Sequence, residues 1–208
     1  MRGPGGLRAV LVAGALAALA APGGAEQTSL AAAGRAVLQR HAASLVTVRL
    51  VLKRRFIAQG RERGSADTTL EVAGTLLTPE GLTVVSDAST NPGVLTASPG
   101  DADNRVDVDT SDVKILLRDG RELPARVVLR DQDLDLAFLL PRERGEKLPA
   151  LDLEAQAAPV PAPLDDLVFL YPMPRSLNRE VGGALERARA VTKKPRTFVA
   201  SDTFLGMH

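Results

Sequence analysis

The sequence predicts an all-β fold, either a barrel or a sandwich, preceded by one short helix. Short apolar segments with period-two alternation recur along the chain, as in residues 44–53, where Val46, Val48, Leu50 and Leu52 point one way. Tight-turn residues separate the segments, and Asp-Gly at 119–120 between two alternating segments is a strong hairpin signal. Regularly spaced short strands joined by tight turns are typical of all-β barrels and sandwiches.

The composition is that of an ordinary globular protein. Of 208 residues, 45% are hydrophobic and 25% charged, which excludes a disordered tail, a collagen-like rod and a multi-span membrane protein. The net charge of +1 argues against broad electrostatic binding to nucleic acid, and the aromatic content of 3% argues against a stacking platform for single strands. Because cysteine is absent, the chain has no disulfide, zinc–thiolate site or thiol nucleophile.

Residues 1–25 are interpreted as a secretory signal. Arg2 and Arg8 lead into the uncharged run AVLVAGALAALAA, and Pro22 and three small residues follow before Glu26. The run is shorter than the ~20 residues that a membrane-spanning helix needs, so an uncleaved anchor is the weaker alternative. We therefore expect export to the periplasm or the extracellular space, with no membrane span after signal cleavage.

The mature chain is predicted to begin with a helix over residues 26–42. Ser29 is a candidate N-cap, and Leu30, Ala33 and Val37 recur at helical spacing. His41 lies at the end of this helix, where the helix dipole favours a cationic side chain.

A first β unit is predicted over residues 43–156. Its strands are 44–53, 72–77, 82–85, 113–117, 122–130 and 134–140. The last of these is nearly continuously apolar, which predicts burial on both faces. Residues 54–70 are predicted to be a solvated loop into which the first strand extends, residues 87–112 a long surface loop, and residues 78–81 (TPEG) a tight turn.

Two charge clusters lie in these loops. The acidic cluster is Asp101, Asp103, Asp107, Asp109 and Asp112, and the basic cluster is Lys53, Arg54, Arg55, Arg61 and Arg63. The acidic spacing lacks the ligand and glycine positions of a calcium-binding EF-hand loop, so a solvated loop is favoured and no metal site is predicted. The basic cluster is likewise interpreted as a solvated strand end.

A Pro/Ala stretch at 157–163 (AAPVPAP) is interpreted as a linker to a second, smaller unit over residues 164–208. This unit contains the candidate strands 167–171, 185–191 and 197–200. Its apolar residues Phe169, Tyr171 and Met173 are predicted to fill its core.

The order of the segments resembles trypsin-like serine proteases of the HtrA/DegP type. The resemblance covers residues 43–205 and is carried by VTVR at 46–49, AGTLLTPEGL at 73–82, VKILLRDGRELPARVV at 113–128 and RDQDLDLAFL at 130–139. It implies two six-stranded β-barrels with a Ser-His-Asp triad between them. In this chain it implies a complete first barrel and a partial second barrel.

The resemblance also assigns the triad positions. Asp135 matches the catalytic Asp, whereas Ala88 falls where the family has its His. Ser201-Asp202 resembles a Thr-Asp pair that precedes the nucleophilic Ser, which would lie beyond His208. A serine hydroxyl becomes an effective nucleophile only when an adjacent base takes its proton, and the Asp orients that imidazole. Asp135 is therefore predicted to be a vestigial triad residue.

Three readings of function remain open. The first is an exported pseudoprotease, without a cofactor, that binds a peptide or protein ligand. The second is a truncated fragment of such a protein. The third is an active serine endopeptidase whose site is completed by residues beyond 208.

Overall fold

The computed structural model describes residues 23–90, 104–143, 145–194 and 197–202. The helices are α1 (Gly23–His41) and α2 (Asp87–Thr90). The strands are β1 (Leu45–Ala58), β2 (Arg61–Leu76), β3 (Thr83–Ser86), β4 (Asn104–Leu116), β5 (Glu122–Asp131), β6 (Leu136–Pro141), β7 (Asp166–Pro172), β8 (Val181–Thr192) and β9 (Phe198–Ser201). The prediction of a mostly β protein with a short N-terminal helix is confirmed.

Six strands close into an antiparallel barrel in the order β1-β2-β3-β6-β5-β4, which decides for a barrel over a sandwich. Because side chains alternate along a strand, every second residue of β1 enters the barrel. Leu50 and Val48 are fully buried there, in one cluster with Ile115 of the adjacent strand β4 and Leu139 of β6.

The predicted extension of the first strand into residues 54–70 is confirmed, but the predicted loop is wrong, because β1 and β2 continue through this segment as a long hairpin. Gln59 and Gly60 make a two-residue turn with φ of 52° and 68°, and a turn with two positive φ values suits the twist of paired strands. The basic cluster therefore lies on strand residues. Solvent reaches both faces of this end of the hairpin, so its sequence lacks apolar alternation.

The predicted loop at 87–112 is also wrong in the described residues. Residues 87–90 form α2, and residues 104–112 belong to β4, which pairs with β1. Asp109 lies opposite Lys53 in β1, and its carboxylate accepts a hydrogen bond of 2.7 Å from Arg55. Asp101 and Asp103 lie outside the described residues.

Both glycine turns form where the sequence predicts them. The Gly81 N–H donates to the Thr78 carbonyl at 2.9 Å with φ of 94°, and a Cβ there would lie 2.7 Å from the ring of Pro141. Gly120 has φ of 86° between β4 and β5.

The prediction that β6 is buried on both faces is wrong, since only Ala137 and Leu139, its inward-facing residues, are buried.

Helix α1 begins at Gly23, so Ser29 lies inside the helix and is not its N-cap. The predicted signal falls mainly on residues 1–22, which are outside the described residues. In the part of the chain that the structure describes, no helix combines the length and the apolar character needed to cross a bilayer.

The second unit is a three-stranded antiparallel sheet in the order β7-β8-β9. Helix α1 packs on one face, where a Cβ at Gly34 would lie 3.0 Å from Leu185 and 4.0 Å from Val168. Phe169 and Tyr171 are on the other face and are 38% and 42% exposed, so the prediction that they fill a core is wrong. Their rings are only partly covered, the Tyr171 ring by Gly182 of β8, where an added Cβ would lie 3.2 Å away.

A bidentate ion pair joins the second unit to the barrel. The Arg179 guanidinium donates to both carboxylate oxygens of Glu71 in β2, at 2.9 and 2.5 Å. These hydrogen bonds lower the pKa of the Glu71 carboxyl below its ordinary value of 4.5, and partial burial opposes them only in part. Glu71 therefore binds a proton less readily in the folded protein than in the unfolded chain.

This lowered pKa predicts acid sensitivity of the fold. The contribution of Glu71 to the free energy of unfolding is complete at pH values above its pKa in the unfolded chain. It is lost as the pH falls through the lower pKa of the folded protein. Urea unfolding across pH should show native protein about 0.2–1 kcal/mol more stable than Glu71→Gln at neutral pH, with the difference vanishing in acid. Glu62→Gln, at the exposed hairpin tip, is the control; a constant difference for Glu71→Gln would contradict the expectation.

Candidate functional site

Asp135, the predicted vestigial triad residue, occupies the last position of the turn between β5 and β6. Asp131 starts this turn by accepting the Leu134 N–H at 2.9 Å through its side chain. Asp135 itself has φ of 53°, a left-handed conformation in which Asp is one of the better-tolerated residues. Its backbone thus holds the exposed carboxylate at the start of β6.

The Asp135 carboxylate faces the junction between β3, the strand that pairs with β6, and the helix α2 that follows it. One oxygen accepts the Ser86 hydroxyl at 2.9 Å, and the other accepts the Ala88 N–H at 2.7 Å. The Asp135 carbonyl accepts the Asp87 N–H at 3.1 Å. The pairing of β3 with β6, which sets Ser86 opposite Leu136, brings together the two positions singled out in the sequence.

The chemistry available at this junction is limited by the side chain of residue 88. A methyl group can neither accept a proton nor bridge the carboxylate to a nucleophile. The nearest hydroxyl, that of Ser86, is engaged on both sides, since it donates to Asp135 and accepts the Ser89 N–H at 3.2 Å. The contacts therefore fix the first turn of α2 and do not assemble a nucleophile with its base.

A second polar network, which the sequence reading missed, lies beneath α2. Asp87 is only 4% exposed, and its carboxylate forms an ion pair with Arg130 of β5. Arg130 also donates to the hydroxyl of Thr90 at 3.0 Å, and Thr110 of β4 donates to the Thr90 carbonyl at 2.8 Å. Strands β5 and β4 thus anchor both ends of the short helix.

The remaining candidates lie apart from this junction. His41 ends α1, and its carbonyl accepts the Ser44 hydroxyl at 2.8 Å. Ser201 ends β9 and is 4% exposed, while Asp202 forms an ion pair with Arg189 that lowers the pKa of the Asp202 carboxyl. Within the described residues no hydrogen bond connects any of these three to Asp135. His208 lies outside them.

Comparisons with known proteins add no family. A scan against protein-family models and a search of the curated proteins found no match to this chain. The trypsin-like resemblance therefore stays a prediction, carried by the motifs of the sequence.

Proposed function

We propose that this protein is an exported, catalytically inactive relative of the trypsin-like serine proteases that binds a peptide or another protein. The observation that carries the proposal is the 2.7 Å contact between the Asp135 carboxylate and the backbone of Ala88. The resemblance assigns these positions to the Asp and His of a triad, 47 residues apart in the chain. Their contact supports the resemblance, and the alanine removes the general base.

Retention of the carboxylate without its imidazole has a physical explanation. Asp135 accepts hydrogen bonds from a hydroxyl and a backbone N–H of the α2 turn, and charge-assisted bonds of this kind stabilise more than neutral ones. Asp135 thus supports the fold in an inactive protein. A triad that loses a member keeps only the residual rate supplied by binding and the oxyanion hole.

The second unit supports a binding role. A sheet with two unpaired edges and exposed aromatic side chains is a template for association with another chain. Among the described residues β7 and β9 are the edges of this sheet, and Tyr171 and Phe169 of β7 are both more than one third exposed. We propose that this sheet is the partial second barrel implied by the resemblance and that a partner covers its open face.

Fluorophosphonate labelling tests the proposal directly. We expect neither covalent labelling nor casein cleavage, because alanine replaces the general base beside Asp135 and the Ser86 hydroxyl there is held by Asp135 and by the Ser89 N–H. Trypsin under the same conditions controls for the reagents. Labelling that maps to one serine of this chain by mass spectrometry would overturn the proposal and favour the active endopeptidase.

A further inference from the structure

Strands β4 and β5 close the barrel over only part of their length. These strands pair only from Lys114 to Leu116 with Glu122 to Pro124, and in the described residues no pair joins them beyond Lys114 and Pro124. A cleft of about 370 Å³ separates residues 108–113 of β4 from residues 125–130 of β5, and we call it the β4–β5 slot. Its volume is within the usual range of ligand sites, ~300–1,000 Å³.

A β-bulge on each strand opens the slot. In β4, Asp112 and Val113 together oppose the single residue Leu50 of β1, and Asp112 has φ of 45°. In β5, Val128 has no partner between the pairs that Val127 and Leu129 make with β6. Bulges bend a strand and end its regular pairing, so one bulge in each wall of the slot helps to hold β4 and β5 apart.

Both walls of the slot present strand edges. From 108 to 111, β4 pairs with β1 on its other side, and from 125 to 130, apart from the bulged Val128, β5 pairs with β6 on its other side. An extended peptide can add a strand to such an edge through main-chain hydrogen bonds, while its alternate side chains determine specificity. Val128 and Leu129 are 39% and 58% exposed beside the slot, which an added strand would partly cover.

The two faces of the slot differ in chemistry. Val113 and Val127 line the inward face and pack against the barrel core. Arg126 lies opposite Leu140 on the outward face, and Arg142 also lines the slot. Neither guanidinium has an ion-pair or hydrogen-bond partner among the described residues. Asp109 and Asp112 of β4 also line the slot, but each already faces a cation: Asp109 is ion-paired with Arg55, and Asp112 lies 3.9 Å from the Lys114 ammonium. The unpaired charges of the slot are therefore the two guanidinium groups, and an acidic side chain over them would meet two cations without displacing a partner.

We infer that the β4–β5 slot binds an extended peptide in which apolar side chains alternate with acidic ones. The apolar side chains point toward Val113 and Val127, and the acidic ones lie over Arg126 and Arg142. The inference rests on the proposed function for its class of ligand, a peptide, but places the ligand away from the Asp135–Ala88 junction. Through Arg130, whose Nη1 holds Asp87, the slot borders the network beneath α2.

Fluorescence anisotropy with a labelled peptide, acetyl-Val-Glu-Val-Asp-Val-Glu-amide, tests the inference on the full chain. We expect binding to native protein, about 3- to 10-fold weaker binding to Arg126→Gln/Arg142→Gln, and unchanged binding to Arg61→Gln/Arg63→Gln. The last variant removes the same charge from the hairpin tip. The Gln/Asn counterpart of the peptide should bind like the first variant, and N-methylation of alternate amides should abolish binding. Hydrogen exchange should slow in residues 108–113 and 126–130.

Several results would overturn the inference. If the peptide binds equally to both double variants, the loss of affinity is due to net charge and not to the slot. If hydrogen exchange slows along β7 or β9 instead, the peptide binds to the second sheet, and the proposed function remains supported. A dimer that the peptide dissociates would assign the slot to a second copy. If the peptide binds only after Val94 and Leu95 are replaced by serine, the occupant of the slot is the segment 91–103 of this chain and not a peptide. Failure of every peptide also overturns it, whereas catalytic inactivity is tested separately by fluorophosphonate labelling.

Discussion

The variant Ala88→His is expected to regain the carboxylate–imidazole pair of a triad without regaining proteolysis. The Asp135 carboxylate lies 2.7 Å from the backbone nitrogen of Ala88, so a ring attached to this residue is within the ~4–6 Å over which opposite charges shift pKa values. The carboxylate favours the charged imidazole, and we expect the imidazole pKa to rise about 1 unit above its ordinary ~6.5. NMR titration of the ring protons measures this rise.

Two variants separate the effect of Asp135 from that of the local backbone. In Ala88→His combined with Asp135→Asn, the introduced imidazole should titrate near its ordinary pKa. The imidazole introduced by Ser89→His, at an exposed position of the same turn, should do so too. If the imidazole pKa is higher in the folded protein than in the unfolded chain, the imidazole stabilises the fold. This gain in stability is complete at pH values below the pKa of the unfolded chain and is lost as the pH rises through the pKa of the folded protein. The single variant should therefore gain thermal stability over the Asn double variant in mild acid. A titration that Asp135→Asn leaves unchanged would contradict the assigned pair.

Period-two alternation located the barrel strands wherever one face is buried. The alternation of Val46, Val48 and Leu50 survives in the structure because these side chains fill the core. It failed for residues 54–70, where both faces of the hairpin meet solvent and no apolar period marks the strands. The Gln-Gly turn at 59–60 was the available signal, since both residues adopt positive φ there.

At the candidate site, the sequence predicted the Asp135–Ala88 pair but not the buried network around Arg130. Asp135 and Ala88 were singled out by motif order, and strand pairing brings them together. Arg130 was missed because alternation from Ala125 and Val127 places it outside the barrel. The bulge at Val128 reverses the parity of β5, so Arg130 lies opposite the buried Ala137. A bulge has no reliable sequence signature, and neither the buried network nor the β4–β5 slot was therefore visible in the sequence.

Removal of the half-buried cation by Arg130→Met is expected to cost about 3 kcal/mol of unfolding free energy, the lower end of the range for breaking a buried pair. Asp87 is 4% exposed, and without Arg130 its carboxylate would stay buried with no cationic partner among the described residues. The loss is at the lower end because the Arg130 side chain is 27% exposed and water reaches part of it. Urea unfolding of the full chain measures the change.

The double variant Asp87→Asn/Arg130→Met distinguishes a stranded charge from lost packing. With both charges removed, most of the lost stability should return, because the penalty arises from the unpaired carboxylate more than from the missing attraction. Arg126→Met, exposed on the same strand, should change stability by less than ~0.5 kcal/mol. Hydrogen exchange of the Ala88 amide should quicken in Arg130→Met, since Arg130 anchors α2 beneath Asp135. If the double variant is no more stable than Arg130→Met, the side chain of Arg130 acts by packing, and the ion pair does not hold the helix in place.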